Sequence, residues 1–336
     1  MKTKKKIGRK ILLIFICCAL IIVASFCCVS WFHYDRSIMA SLAEMYMILV
    51  DRDVIYEQGS GYVHNLRLQG KLNLEDYEIP SAVTMDVSVY DKHEHDMQVF
   101  YINEEAMDDT IIVYIPGGAY LNNPLKYHWN LINNITQQTG CPVILPIYLK
   151  VPNYTCDEAY EKMIEFYKDL ATREGVEHII FMGDSSGGGM SLALAQILRD
   201  EYPDLLQPED LFLIVPWLDV SMETEGIEDI AETDPMLGVY GLADIGKLWA
   251  GDRDVHDPMV SPIYGTFENL GRITLFAGTN DMLYPDIDKF DKMLCEQGIE
   301  HTYVVEKNLD HPYPLFPTPE ADDAQQLMID IINEHY

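Results

Sequence analysis

Four glycines crowd two serines in the stretch GDSSGGG, residues 183 to 189. The run follows the apolar segment HIIFM and precedes MSLALAQILRDEY, where a strand pattern gives way to a helix pattern. Gly183-x-Ser185-x-Gly187 fits G-x-S-x-G, in which small neighbours let a serine sit on a strained strand-to-helix turn. Such a turn presents the hydroxyl at a helix N-terminus, where free N–H groups face developing negative charge. Ser185 is therefore the candidate nucleophile, and the backbone N–H of Ser186 a candidate oxyanion donor. No G-K-[ST] follows, which disfavours a phosphate-binding P-loop. A serine needs a base, and the base needs an orienting carboxylate. His311 in NLDHPYPLF and Asp281 in AGTNDMLYPD follow the serine in the order Ser, Asp, His. Asp286 and Asp310 are rival acids. Asp286 lies deeper in an expected helix, and Asp310 adjoins the histidine, where neighbouring side chains diverge. Gly117 and Gly118 in IVYIPGGAY offer two further backbone N–H groups after an apolar strand.

These residues need a scaffold that brings strand ends together. After Pro80 the pattern alternates between short strands and helices. AVTMDVSVY and DMQVFYIN read as a hairpin with a polar turn at Asp91 to His95. TIIVYI, PVILPIY, HIIFM, LFLIVP, RITLFAG and HTYVVE read as further strands. Continuous apolar runs of this kind suit strands covered on both faces. Helices are expected near 125–139, 157–171, after the glycines, and over 320–334. The prediction is an α/β fold with a mostly parallel central sheet and helices on both faces. Ligands in such sheets bind at the carboxyl ends of the strands, where every candidate residue falls.

The 336 residues divide sharply in charge. Six of the 23 basic residues lie within the first ten, so the rest of the chain sets 17 basic against 54 acidic residues. Such a body repels nucleic acid, and no nucleic-acid partner is expected. Residues 11–32, ILLIFICCALIIVASFCCVSWF, carry no charge and are long enough to span a bilayer. The Lys-rich tip, residues 1–10, predicts a cytoplasmic N-terminus and an extracytoplasmic body, with the membrane as partner through this helix. A cleaved signal peptide, releasing a secreted body, is the alternative. Residues 33–79 form an expected helical cap over a catalytic domain spanning 80–336. Cys141, Cys156 and Cys295 allow one disulfide at most. His93-Glu94-His95 falls in the polar turn with no third ligand, so no metal and no cofactor is expected.

Taken together, IPGGAY, GDSSGGGMSLALA, VPWLDVS, DPMVSPIYG, GTNDML and DHPYPLF resemble, in order and spacing, the hormone-sensitive-lipase-like esterases of the α/β-hydrolase fold. The resemblance covers roughly residues 80 to 336. It implies cofactor-free hydrolysis of a small-molecule carboxylic ester, with Ser185, Asp281 and His311 as triad and Gly117, Gly118 and Ser186 as oxyanion donors. It also implies that Trp217, Asp219, Ser261 and Pro262 are structural. Two positions depart from the family loop: Pro116 stands for its first His and Ala119 for its third Gly. The expectation is a membrane-anchored esterase of short-to-medium acyl chains, the latter from the apolar cap residues Met39, Leu42, Met45 and Tyr46. The alternatives are a non-catalytic binding protein on this scaffold, or a peptidase or acyltransferase.

Overall fold

The computed structural model describes all residues except Met1, Asp51, Met107 and Asp108. Helix α1 runs over Lys2–Phe32, and α2 over Ile38–Leu49. Helix α3 spans Ser60–Leu72. Within α1, the 18-residue stretch Phe15–Phe32 is long and apolar enough to cross a membrane, a property an N-terminal signal sequence shares.

An eight-stranded sheet follows. Its strands are β1 (Val89–Glu94), β2 (Met97–Ile102), β3 (Thr110–Ile115), β4 (Val143–Ile147), β5 (His178–Asp184), β6 (Asp210–Ile214), β7 (Arg272–Gly278) and β8 (His301–Glu306). The order is β1-β2-β4-β3-β5-β6-β7-β8. The pairs β1–β2 and β2–β4 are antiparallel, and the pairs from β4–β3 through β7–β8 are parallel. Residues of β3, β5 and β6 are buried almost throughout, which explains their unbroken apolar runs.

The crossovers carry α4 (Lys126–Thr139), α5 (Cys156–Ala171), α6 (Ser185–Glu201), α7 (Ile227–Ala231), α8 (Val239–Ala250) and α9 (Tyr284–Glu296), and α10 (Pro319–His335) closes the chain. Helix α5 starts at a capping box in which Glu158 reaches back to the N–H of Thr155, at 2.8 Å.

The hairpin differs from its expected register. Residues 82–88 are outside the sheet, and the expected turn is largely the strand β1. Val83, Met85 and Val87 do alternate inward against the core, so the segment has strand periodicity without a pairing partner. Strand β1 is an exposed edge and needs no apolar alternation, so its polar composition disguised it. The turn itself is His95-Asp96, both at positive φ. His93 and His95 pair with Asp76 and Asp169 on the surface. All seven cysteines are free, so none of the possible bridges among Cys141, Cys156 and Cys295 forms.

Candidate active site

Register sets the site. Ile115 pairs with Gly183 across β3 and β5, so the loop after β3 and the turn into α6 leave the sheet side by side. Gly278 pairs with Glu306 across β7 and β8, so the loops bearing Asp281 and His311 also leave together. Cross-bonds tie that second pair of loops: Asn280 N donates to Leu309 O at 3.1 Å, and Asn308 N to Thr279 Oγ1 at 2.8 Å.

Ser185 is the first residue of α6 and has φ +52°, a strained value for a serine. A Cβ at Gly187 would run into the carbonyl of Ile115, so the residue after Ser186 must be glycine for α6 to lie against the end of β3. Ser186 is fully buried, and its Oγ accepts the N–H of Tyr120 at 3.2 Å. Its hydroxyl is thereby occupied inside the protein, whereas Ser185 sits at the turn.

His311 Nδ1 lies 2.7 Å from Asp281 Oδ2, and both residues are buried. Burial is the largest influence and disfavours the imidazolium, but Asp281 beside it, together with Asp234 and Asp184, raises the pKa of His311 above the ordinary histidine value. The rival acids go elsewhere. Asp310 accepts from Asn280 Nδ2, and burial pushes its carboxyl up to about 7. Asp286 sits in the first turn of α9, fully buried, and burial likewise raises it to about 7.

A further buried acid lies near Asp281. Asp234 accepts the N–H groups of Met236 and Leu237 through one oxygen and that of Met282 through the other. Burial and the nearby Asp281 raise it to about 6. Sequence reasoning missed Asp234, which sits in a polar stretch with no motif.

The loop after β3 corrects one expectation. The N–H of Gly117, expected to be an oxyanion donor, points the other way and donates to Asp184 Oδ1 at 3.0 Å. A Cβ at Gly117 would collide with the Asp184 carboxylate, so glycine is needed there for close approach. The N–H groups of Gly118 and Ala119 bond to none of the described residues. Gly118 has φ +137° and Ala119 φ +56°, so the chain reverses at this point. The loop is pinned on all sides. Tyr148 OH donates to Pro116 O at 3.1 Å, and Leu121 N and Asn122 N donate to Gly118 O. Val151 N donates to Tyr120 O at 3.0 Å.

Asp184 is the hub of this network. Besides Gly117 N–H it accepts Tyr114 OH at 2.6 Å and faces His128 Nε2 at 3.2 Å. Burial works against its charge, but His128 and the other donors hold its pKa below the ordinary carboxylate value. His128 Nδ1 lies 2.9 Å from Leu125 N and 3.2 Å from Leu125 O, which fixes the ring with Nε2 toward Asp184. Neither His128 nor Asp184 was singled out in the sequence. A signal was present: His128, Leu131, Ile132 and Ile135 share one helical face, so the imidazole had to point into the core.

Trp217 and Asp219 form a bracing network, with Trp217 N bonded to Ser185 O at 2.8 Å and Tyr264 OH to Asp219 Oδ2 at 2.5 Å. Ser261 joins it by accepting Val220 N–H at 2.9 Å. Residues from the 33–79 segment reach the loop after β3 from outside. Asn122 Nδ2 donates to Tyr56 OH at 3.0 Å, and Asn73 Nδ2 to Leu121 O at 2.8 Å. The cap residues expected to line an acyl pocket turn away: Met39, Leu42, Met45 and Tyr46 all face solvent. They therefore give no information on acyl length. Helical periodicity had located an apolar stripe without saying which side of the helix the domain occupies.

A family model described as alpha/beta hydrolase fold matches residues 112–315. A triacylglycerol lipase of Mycobacterium tuberculosis is 28% identical over 66% of this chain, which spans 45% of that protein's length. An esterase of Acinetobacter venetianus is 26% identical over 66% of this chain and 74% of its own. A solved structure from Staphylococcus aureus covers 84% of this chain and 96% of its own, with a TM-score of 0.78 and 28% identity. The chain therefore belongs to the alpha/beta hydrolase fold family. Its curated relatives include proteins named for lipase, esterase and acetyl-hydrolase activity, in line with the motif resemblance.

Proposed function

We propose that this protein is a membrane-anchored serine carboxylesterase. The observation that carries the reading is the buried His311–Asp281 pair in the loops after β8 and β7, with a serine on a strained strand-to-helix turn at the end of β5 in the same sheet. Nδ1–H of His311 donates to Asp281, so Nε2 keeps the lone pair needed to take the proton of Ser185. The Ser185 oxygen then bonds to the ester carbonyl carbon, and the electron pair of the C=O moves to oxygen. The backbone N–H groups of Gly118, Ala119 and Ser186 receive that oxyanion. Collapse expels the alcohol, protonated by His311, and leaves an acyl-enzyme. Water, deprotonated by His311, attacks the acyl carbon and frees the carboxylic acid and Ser185. No step calls for a cofactor.

Acyl groups of short to medium length are the proposed substrates, on the ground that Ala119 adds a methyl where the family loop has a glycine. Helix α1 is the proposed membrane span, with the basic tip in the cytoplasm and the catalytic domain outside it. Residues 33–79 serve as cap, since they touch the loop that carries the oxyanion donors.

Rates on p-nitrophenyl acetate, butyrate and octanoate, with Ser185→Ala as control, test this reading. It predicts hydrolysis of acetate and butyrate that disappears in the variant. Equal rates for wild type and variant on every ester would contradict it.

A further inference from the structure

The chain leaving α1 is bound directly to the loop that carries His311. Asn308 Nδ2 donates to Tyr34 O at 2.8 Å, and Arg36 Nη1 donates to Asn308 O at 2.6 Å. Ser37 Oγ donates to Glu320 Oε2 at 2.8 Å. Arg36 is buried, with Nε on Ser41 Oγ at 3.1 Å, Nη2 paired with Glu44, and Asp310 at 3.9 Å. The end of α1, one face of α2 and the His311 loop are thus a single bonded unit.

The opposite face of α2 has no partner among the described residues. Ala40 and Met47 pack inward, whereas Met39, Leu42, Met45, Tyr46 and Leu49 form a stripe along the outside. Leu49 is 75% exposed and Tyr46 61%. The one charged side chain of α2, Glu44, is held by Arg36 rather than placed on this stripe. A contiguous exposed apolar surface of this kind marks a partner. The stripe begins a few residues beyond Trp31 and Phe32, which are themselves exposed at the end of the apolar segment of α1.

We propose that α2 lies flat on the bilayer surface where α1 emerges, with Met39, Leu42, Met45, Tyr46 and Leu49 in the boundary between headgroups and acyl chains. The His311 loop on its other face is then held one helix diameter, roughly 10 Å, from the membrane, and the site draws its ester from lipid rather than from bulk water. This deepens the esterase reading and rests on α1 spanning the membrane. Continuity with α1 selects a lipid surface as the occupant. The uncharged stripe, on a body rich in acidic residues, selects apolar insertion rather than attraction to anionic headgroups.

The test uses the full chain in phosphatidylcholine vesicles, with Leu42→Glu/Leu49→Glu as the variant. Both leucines are surface residues outside the catalytic machinery. Hydroxyl-radical oxidation of Met39 and Met45 is followed by mass spectrometry, with exposed Tyr264 as reference. The proposal predicts oxidation about fivefold slower in wild type than in the variant, with Tyr264 unchanged. That protection should persist at about 0.5 M salt, because the stripe is uncharged. Equal oxidation rates would overturn it. So would protection that fades as the lipid-to-protein ratio rises, which would assign the stripe to a second copy of the chain. Release of the protein by alkaline carbonate would remove the anchor, and the proposal with it. The footprint needs no turnover, so a failed esterase reading leaves the docking result legible. With an active enzyme, the variant should lose about tenfold in rate on a vesicle-dissolved p-nitrophenyl ester and keep its rate on soluble p-nitrophenyl acetate. A variant unimpaired on both substrates would overturn the link between docking and substrate supply.

Discussion

The carboxylate of Asp184 lies 3.0 Å from the N–H of Gly117, one residue ahead of Ser185 on its own strand. The turn bearing Ser185 and the loop after β3 are therefore one bonded unit. His128 completes it from α4. The family loop begins with a histidine where this chain has Pro116, which has no side-chain donor. Here the loop is held instead by Tyr148 OH on Pro116 O and by Asp184 on Gly117 N.

Removing His128 should loosen that unit. His128→Ala takes one donor from a buried carboxylate and is expected to cost about 1–3 kcal/mol of stability. The rate on p-nitrophenyl butyrate should fall while Ser185 still labels with a phosphonate. Urea unfolding together with kcat and KM checks this. An unchanged midpoint and unchanged kcat would contradict it.

The choice among three acids can be read from rates. Asp281→Asn leaves His311 without its carboxylate, and the same change in another triad enzyme costs about four orders of magnitude in kcat. Asp286→Asn and Asp310→Asn should each cost far less, since neither touches His311 Nδ1 in the structure. Comparable losses for Asp310→Asn and Asp281→Asn would contradict the assignment.

The pH dependence follows from the groups around His311. Burial opposes its charge, while Asp281, Asp234 and Asp184 favour it, and the balance raises its pKa. Only neutral His311 can accept the proton of Ser185. The value of kcat/KM should rise with pH through a midpoint above about 6.5, the ordinary imidazole value. Stability has the opposite sign. The contribution of this pair is complete below the unfolded imidazole pKa and is lost as pH rises through the raised folded value. A midpoint below about 6.5 in the free enzyme would count against the account.

Lys150 is fully buried, and burial lowers its amine to about 7. Its Nζ donates to Tyr148 O at 3.0 Å, with no carboxylate as partner among the described contacts. A depressed amine means that the unfolded chain binds more protons between about pH 7 and 10.4, so stability gains from rising pH across that window. Lys150→Met removes the cost and should raise Tm at pH 7, with less gain at pH 9. A lower Tm at both pH values would show that the amine has a partner worth more than its desolvation.

Much of this was legible in the sequence. The apolar runs of β3 to β7 and the glycines around Ser185 report local constraints, burial on both faces and a tight turn. The order of Ser185, Asp281 and His311 along the chain reports topology. What escaped depends on contacts between distant segments. Gly117 turns its N–H to an aspartate 67 residues later, and no local pattern encodes that direction. Asp234 meets the Asp281 loop through the N–H of Met282 because two loops converge. Helix α8 was missed although Leu242, Ile245 and Trp249 share a buried face, because its glycines mask the pattern. Gly241 and Gly246 are there to pack against Tyr56 and Val220.

The most direct measurement is mass spectrometry of the full chain after treatment with a p-nitrophenyl alkylphosphonate. The account predicts one adduct per chain, located on Ser185, and loss of ester hydrolysis in proportion to labelling. It also predicts no adduct in Ser185→Ala, although Ser186 is adjacent. An adduct on Ser186, or an unlabelled protein that still hydrolyses esters, would contradict it.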